Sequence, residues 1–393
     1  EILDKHIQSV PDIFIARPTD LFGQVLPLVV GVGTGIGTCW HSFVVGYLRS
    51  VCRAACLKTR DSSFFLVTGC DTGFGNMAAQ MLDREGYSVF AGCFTTEAIE
   101  RHQEEGSKRI KPFQLDVTND TSITAMKEFV KETLNSSSGA HLCGLVNNAG
   151  LLIDPTPTEW TPLSSAKLMM EVNYFGTVRV TQALLPFIRK SQGRIVNVAS
   201  IAGKVGLPSE AAYCASKYAV EAYSDVLRKD MLPFGVNVTI IEPGIFPNTG
   251  LYGRFQTGLD KVWEELDEDM KKDYGHGYYT YFRKALGIAM SDFGTTDTSL
   301  VPKAMIDALT SDTVPYRAKV GLDSKYLIPV LAVLPEFVQD LIMTHSDSRA
   351  PYCAPASGPP NGKSETTARY RPSPLRYWFI LCVMIWAYRR YRK

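Results

Sequence analysis

Tyr213 and Lys217 are four residues apart in the stretch Ala-Ala-Tyr-Cys-Ala-Ser-Lys. On a helix that spacing stacks both side chains on one face, one turn apart. A phenol exchanges protons poorly at neutral pH, because its free pKa is roughly 10. An ammonium beside it favours the phenolate and lowers that value, which would make Tyr213 a general acid/base. Ser200 closes the β-rich run Arg-Ile-Val-Asn-Val-Ala-Ser, where a strand should give way to a loop. Its hydroxyl could hydrogen-bond a substrate oxygen on which charge develops. Asn173 lies in a stretch, 169–187, that reads as one long helix, where a buried amide needs partners of its own. A lone Tyr-x-x-x-Lys is commonplace on helix surfaces. Its weight here comes from the elements around it.

Those elements alternate between strand-like and helix-like runs. Ser-Ser-Phe-Phe-Leu-Val-Thr reads as a short buried strand. It leads into Thr-Gly-Cys-Asp-Thr-Gly-Phe-Gly, which holds Gly69, Asp71, Gly73, Phe74 and Gly75, and then into an amphipathic helix ended by Gly86. Glycines permit a tight turn and close approach of backbone to a pyrophosphate, and the helix N-terminus supplies free N–H groups. A second strand ends at Cys93. There an acid would bind the adenosine ribose of NAD, or an arginine the extra phosphate of NADP. Cys93, Phe94, Thr95 and Thr96 offer neither. A third strand, Phe-Gln-Leu-Asp-Val, places Asp116 at the adenine edge, and a fourth ends in Asn147, Asn148, Ala149 and Gly150. A fifth ends at Ser200, and a sixth runs to Glu242, followed by Pro243, Gly244 and Ile245. This alternation predicts a parallel sheet with right-handed crossovers.

With these features in this order, the chain closely resembles the short-chain dehydrogenases/reductases over roughly residues 62–343. The resemblance implies an α/β fold: a Rossmann-type doubly wound parallel sheet in one catalytic domain, residues 61–345, with a helical substrate lid inserted at 251–300. It implies an NAD(P)-dependent oxidoreductase that interconverts a secondary alcohol and a ketone. Tyr213 would exchange the proton with the substrate oxygen, and Ser200 would polarise that oxygen. Lys217 would lower the phenol pKa and bind the nicotinamide ribose, and Asn173 would hold a water linking Lys217 to solvent. Gly69, Gly73 and Gly75 would line the pyrophosphate turn and Asn147 would support the adenosine side. Asp71, Phe74, Cys93, Asp116, Ala149, Gly150, Pro243, Gly244 and Ile245 complete the implied cofactor site. The glycine loop and Phe-Ala-Gly-Cys are similar to the subgroup of retinol, 17β-hydroxysteroid and D-β-hydroxybutyrate dehydrogenases. That subgroup mostly uses NAD, and the missing arginine after Cys93 points the same way, with NADP the lesser expectation.

Bulk properties set the remaining bounds. The formal net charge of +1 gives no field for nucleic acid. Nine scattered cysteines form no Cys-x-x-Cys, and six dispersed histidines show no zinc spacing, so no metal is expected. Residues 21–48 contain no Asp, Glu, Lys or Arg and are followed by Arg49, Arg53, Lys58 and Arg60. About 20 apolar residues suffice to cross a bilayer. The run therefore fits an anchor within a 1–60 leader, with the catalytic domain on the cytoplasmic or matrix side of an endoplasmic reticulum or mitochondrial inner membrane. A targeting region or a buried hairpin also fits. Residues 346–374 read as a flexible linker, and 375–393 as a hydrophobic, basic tail that would lie in the interface or dock on a partner subunit. The expected partners are a small alcohol or ketone, a lipid membrane and further copies of the chain in a dimer or tetramer.

The substrate divides the possibilities. A small hydroxy acid brings a carboxylate that must be paired when desolvated. The resemblance to soluble hydroxybutyrate enzymes implies a histidine two residues after the serine and a lysine three before the tyrosine. This chain has Ala202 and Glu210 there. Between Ser200 and Tyr213 the one cation is Lys204, with Arg254, His276 and Arg283 available from the insertion. Leu151, Leu152, Ile153, Val205, Leu207, Ile245 and Phe246 give an apolar lip. The expectation is a lipophilic steroid- or retinoid-like alcohol, with D-3-hydroxybutyrate as the alternative. A non-catalytic dinucleotide-binding membrane scaffold is the alternative of another kind.

Overall fold

The computed structural model describes residues 60–153, 155–249 and 255–345. The membrane run, the linker, the tail and Arg254 lie outside them. Among the described residues no helix is long and apolar enough to cross a membrane.

Seven strands form the frame: β1 (Ser63–Thr68), β2 (Ser88–Cys93), β3 (Ile110–Gln114), β4 (His141–Asn147), β5 (Arg194–Val198), β6 (Asn237–Pro243) and β7 (Arg317–Val320). They pair in parallel in the order β3-β2-β1-β4-β5-β6-β7. The doubly wound α/β expectation holds. β1 is buried at every position, Ser-Phe-Phe-Leu-Val-Thr, because both faces of a parallel sheet are covered. On one face Val67, Val89 and Ile241 pack against α1 (Gly73–Arg84), α2 (Thr96–Glu105) and the helix Leu300–Thr310. On the other, Leu66, Phe90 and Leu145 pack against α3 (Asp120–Ser136) and two later helices. The chain winds outward from β1 to β3 and returns to β4. The crevice at the carboxyl ends of β1 and β4 is therefore the topological switch point.

Three details depart from expectation. The seventh strand, Arg-Ala-Lys-Val, is a four-residue edge strand whose charges hide its pattern. The chain leaves β3 at Gln114, so Asp116 falls in the following turn. The stretch read as one long helix consists of α4 (Leu163–Met170), a π-helical turn (Glu171–Gly176) and α5 (Thr177–Ser191). The π-turn holds Asn173, and such widened turns are frequent at functional sites. The long helix α6 (Ala211–Met231) follows β5 and carries Tyr213 and Lys217.

The insertion forms α7 (Phe255–Glu265) and α8 (Glu268–Phe293), the latter kinked at Gly275, where φ is +76°. Trp160 is buried beneath it, with Trp263 at 5.3 Å and Tyr274 at 4.9 Å between ring centroids. Edge-to-face and offset ring pairs of this kind hold the insertion against the loop after β4.

Candidate active site

The glycine loop is shaped by its backbone. Gly69 (φ +70°) and Gly73 (φ +59°) both occupy the left-handed region. A Cβ on Gly75 would collide with the Gly69 carbonyl and the Asn148 amide. The N-cap of α1, Thr72, makes no side-chain cap hydrogen bond, so the first N–H groups of the helix remain available to an anion. These observations fit the pyrophosphate of a dinucleotide. β4 closes the loop from the other side: the Asn148 amide donates to Thr68 O (3.0 Å) and Gly69 O (3.2 Å). Thr68 Oγ1 accepts from the N–H groups of Asn148 (3.0 Å) and Ala149 (2.9 Å).

At the adenosine end Asp71, expected in the cofactor site, takes a position that its place in the loop does not reveal. The Asp71 carboxylate crosses to the end of β2, where it accepts from Phe94 N (2.9 Å) and Thr95 N (2.8 Å). An acid therefore stands at the β2 terminus after all, delivered by the loop and not by the strand. Arg101 donates to the Asp71 carbonyl, and the His102 ring is hydrogen-bonded to the Cys70 carbonyl, so α2 braces the loop from outside. Arg101 was missed, because it lies one turn into the helix beyond the positions that the motif directs attention to.

At the other end of the cleft, Tyr213, Ser200 and Lys217 converge. Tyr213 and Ser200 share a side-chain hydrogen bond, and Lys217 Nζ lies 5.6 Å from the tyrosine ring centroid. Ser200 Oγ also accepts from Ala202 N (3.2 Å), and Lys217 Nζ donates to Val198 O (3.0 Å). In this geometry burial sets the direction of the Tyr213 pKa. Burial pushes Tyr213 well above its ordinary range, Glu210 adds to the rise, and the hydrogen bond from Ser200 pulls it back. Burial also lowers Lys217 to about 8, which the Glu221 carboxylate opposes. Desolvation, which disfavours the charged form of each group, sets the direction of both shifts.

Asn173 Oδ1 accepts from Leu151 N (2.8 Å), and its amide donates to Leu151 O (2.9 Å) and Ser216 Oγ (2.9 Å). It ties the loop after β4 to the helix that carries Tyr213. Pro243 and Gly244 line the cleft. Asp323, beyond β7, accepts from Ile245 N (2.8 Å), and Gly244 N donates to Val320 O (2.8 Å). A side chain on Gly244 would collide with that carboxylate.

Gly69, Asp71, Gly73, Phe74, Ala149, Gly150, Ser200, Tyr213, Lys217, Pro243 and Gly244 line one cleft. Asn147 does not. It is 4% exposed and donates to Thr181 Oγ1 and Asn197 Oδ1, both at 2.8 Å, inside the domain. The next residue, Asn148, takes the cleft position, since consecutive side chains at a strand end face opposite ways. Cys93 is wholly buried, and Asp116 is occupied by Thr118 N (2.9 Å) and Oγ1 (2.7 Å) in its own turn. Leu151, Leu152, Ile153, Leu207 and Met169 pack around Tyr213, as the apolar lip requires, and Phe246 lines the same cleft, packed against Phe74. The candidate cations are engaged elsewhere. Lys204 lies 3.6 Å from Glu221 and 3.8 Å from Glu242, Arg283 pairs with Asp260 at 2.7 Å, and the His276 ring packs on Trp263 and Tyr279.

The family model for short chain dehydrogenases matches residues 63–258. Retinol dehydrogenase 7 of Rattus norvegicus is 38% identical over 281 residues, 71% of this chain and 87% of that protein. The 17-beta-hydroxysteroid dehydrogenase type 6 of Homo sapiens is 38% identical over 285 residues, covering 72% and 88%. The mitochondrial D-beta-hydroxybutyrate dehydrogenase of Bos taurus is 37% identical over 302 residues, covering 74% and 87%. Among solved structures, a short-chain dehydrogenase from Streptomyces avermitilis superposes with a TM-score of 0.57 at 25% identity, covering 72% of this chain and 97% of its own.

Proposed function

The chain belongs to the short-chain dehydrogenase family, and on that premise we propose that its substrate is a lipophilic, uncharged secondary alcohol oxidised with NAD. The reaction class itself is that of an NAD(P)-dependent alcohol/ketone oxidoreductase. A nicotinamide cofactor held in the cleft would supply or accept the hydride. Gly69, Gly73, Asn148 and the N-terminus of α1 would hold the pyrophosphate, and Asp71 the adenosine ribose. The Tyr213 hydroxyl moves the proton at the substrate oxygen, and Ser200 Oγ hydrogen-bonds that oxygen as its charge changes. Lys217, buried and close to the same ring, supplies a positive field that grows in value as water is excluded.

One observation carries the substrate reading: the wall around Tyr213 is apolar. Burying apolar area there stabilises a large alcohol at roughly 25 cal/mol per Å². Lys204, Arg283 and His276, the cations the insertion and the Ser200–Tyr213 loop would offer a carboxylate, are engaged elsewhere. NAD reduction with estradiol, retinol and D-3-hydroxybutyrate, assayed in lipid vesicles, should favour the first two. Faster turnover of hydroxybutyrate would reverse the choice.

The preference for NAD rests on the Asp71 carboxylate at the end of β2, which would repel a ribose phosphate. We expect kcat/KM to favour NAD over NADP by at least about tenfold, equivalent to ~1.4 kcal/mol. Asp71→Asn removes the charge and should move the ratio toward NADP by about the same factor. A native enzyme that prefers NADP tenfold ends this reading.

A further inference from the structure

Asp323 is a carboxyl group to which the reaction gives no part. It opens the π-helical turn Asp323–Leu327 that follows β7, and it is 8% exposed. Its Oδ2 accepts from Ile245 N (2.8 Å). Its Oδ1 is buried and has no hydrogen-bond partner among the described residues, and no cation pairs with the group there. Two glycines face that oxygen. A Cβ built on Gly244 would lie 1.9 Å from it, and one built on Gly321 would lie 2.6 Å from it. The carboxyl therefore packs directly on the Gly244 main chain. Gly244 in turn lines the cleft together with Pro243, Ser200 and Tyr213, at the end where a nicotinamide would meet the substrate.

A buried carboxylate with no cation beside it is costly. Burial holds the Asp323 carboxyl above its ordinary range, and the N–H of Ile245 draws it back. Tethering the loop does not by itself call for a charge, since an amide oxygen accepts the same bond. The loop also has other ties. Gly244 N donates to Val320 O (2.8 Å), and Thr295 N, just beyond α8, donates to Ile245 O (2.7 Å). What the carboxylate adds is a field. An oxidised nicotinamide ring carries a positive charge, which it loses on accepting hydride.

We propose that Asp323 biases the cleft toward the oxidised cofactor: from behind Gly244 its carboxylate attracts the cationic ring of NAD and has no such hold on the neutral ring of NADH. The proposal rests on the reading of the cleft as a dinucleotide site with its nicotinamide end at Tyr213. The attraction acts through a buried layer of main chain, where charges are screened less than in water. Its consequence is directional. Once hydride has been accepted the hold is lost, so NADH leaves more readily and alcohol oxidation is favoured.

The probes are NAD and NADH, and the readout is binding to the full chain without turnover. Kd for NADH is read from its fluorescence, and Kd for NAD from displacement of NADH. Asp323→Asn keeps an oxygen for the Ile245 N–H and removes the charge. It should lower the ratio of Kd for NADH to Kd for NAD by at least about fivefold, chiefly through weaker binding of NAD. Asp323→Ser replaces it should Asn not fold, since a Kd reports on the folded fraction alone. A role confined to holding the loop would weaken both forms alike. An unchanged ratio, or one that moves toward NAD, overturns the proposal while leaving the dinucleotide site intact. Failure of the wider reading registers separately, as absent binding of both forms to the native protein, and takes the proposal with it.

Discussion

Tyr213→Phe is expected to lower kcat by at least a hundredfold with every alcohol the enzyme accepts, in line with removal of a positioned acid/base group. The change deletes one oxygen and keeps the ring, so packing against Leu151, Leu152 and Met169 survives. The lost atom is the one that shares a hydrogen bond with Ser200. Thermal stability and NAD binding should therefore change little while turnover collapses. Measuring kcat beside the melting temperature separates the two effects. Full turnover in a folded Tyr213→Phe enzyme would remove Tyr213 from the chemistry.

The largest expected effect on stability lies behind the site. Arg317, on β7, binds Asp225 at 2.7 Å, Glu221 at 3.0 Å and Glu242 at 2.9 Å. Glu221 and Glu242 are 5% and 1% exposed. Arg317→Ala leaves two buried carboxylates with only Lys204 between them, at 3.6 and 3.8 Å. Breaking a buried pair by removing one partner costs about 3–5 kcal/mol. The sign of its pH dependence follows from Glu221. Burial first, and Glu242 next, hold this carboxyl above the ordinary carboxylate range. A folded-state value above the unfolded one means that the folded state binds the extra proton. Stability from this group is present at low pH and is lost as pH rises toward neutrality. Without Arg317 the upward pull strengthens, so the variant should be penalised more at pH 8 than at pH 5. Melting curves at both values test this. A penalty independent of pH, or none, would show that the arginine is not what neutralises the pair.

The frame and the cleft were readable because their signals are local. β1, the glycine loop and α1 follow one another without interruption, and Tyr213 and Lys217 share one helical face. What stayed hidden depends on distant partners. Asp71 reaches the β2 terminus across 23 residues of sequence. Lys204, a free cation in the sequence, is held by Glu221 and Glu242, which lie on α6 and β6. Asn147 and Asn148 are indistinguishable by type, and only the orientation at the end of β4 decides which one faces the cleft. The rise of the Tyr213 pKa is a property of burial, and burial belongs to the folded molecule and to no single motif.

The clamp of Asp323 on Ile245 has a consequence for the order of assembly during synthesis. The loop after β6 lacks its anchor until a residue 78 positions further along has left the ribosome and β7 has joined the sheet edge. A nascent chain released before Arg317 would hold six strands and the whole glycine loop, yet neither the ion cluster nor the clamp. The floor under the nicotinamide end is thus among the last parts to set, and the growing chain acquires a dinucleotide grip before it acquires a competent catalytic pocket.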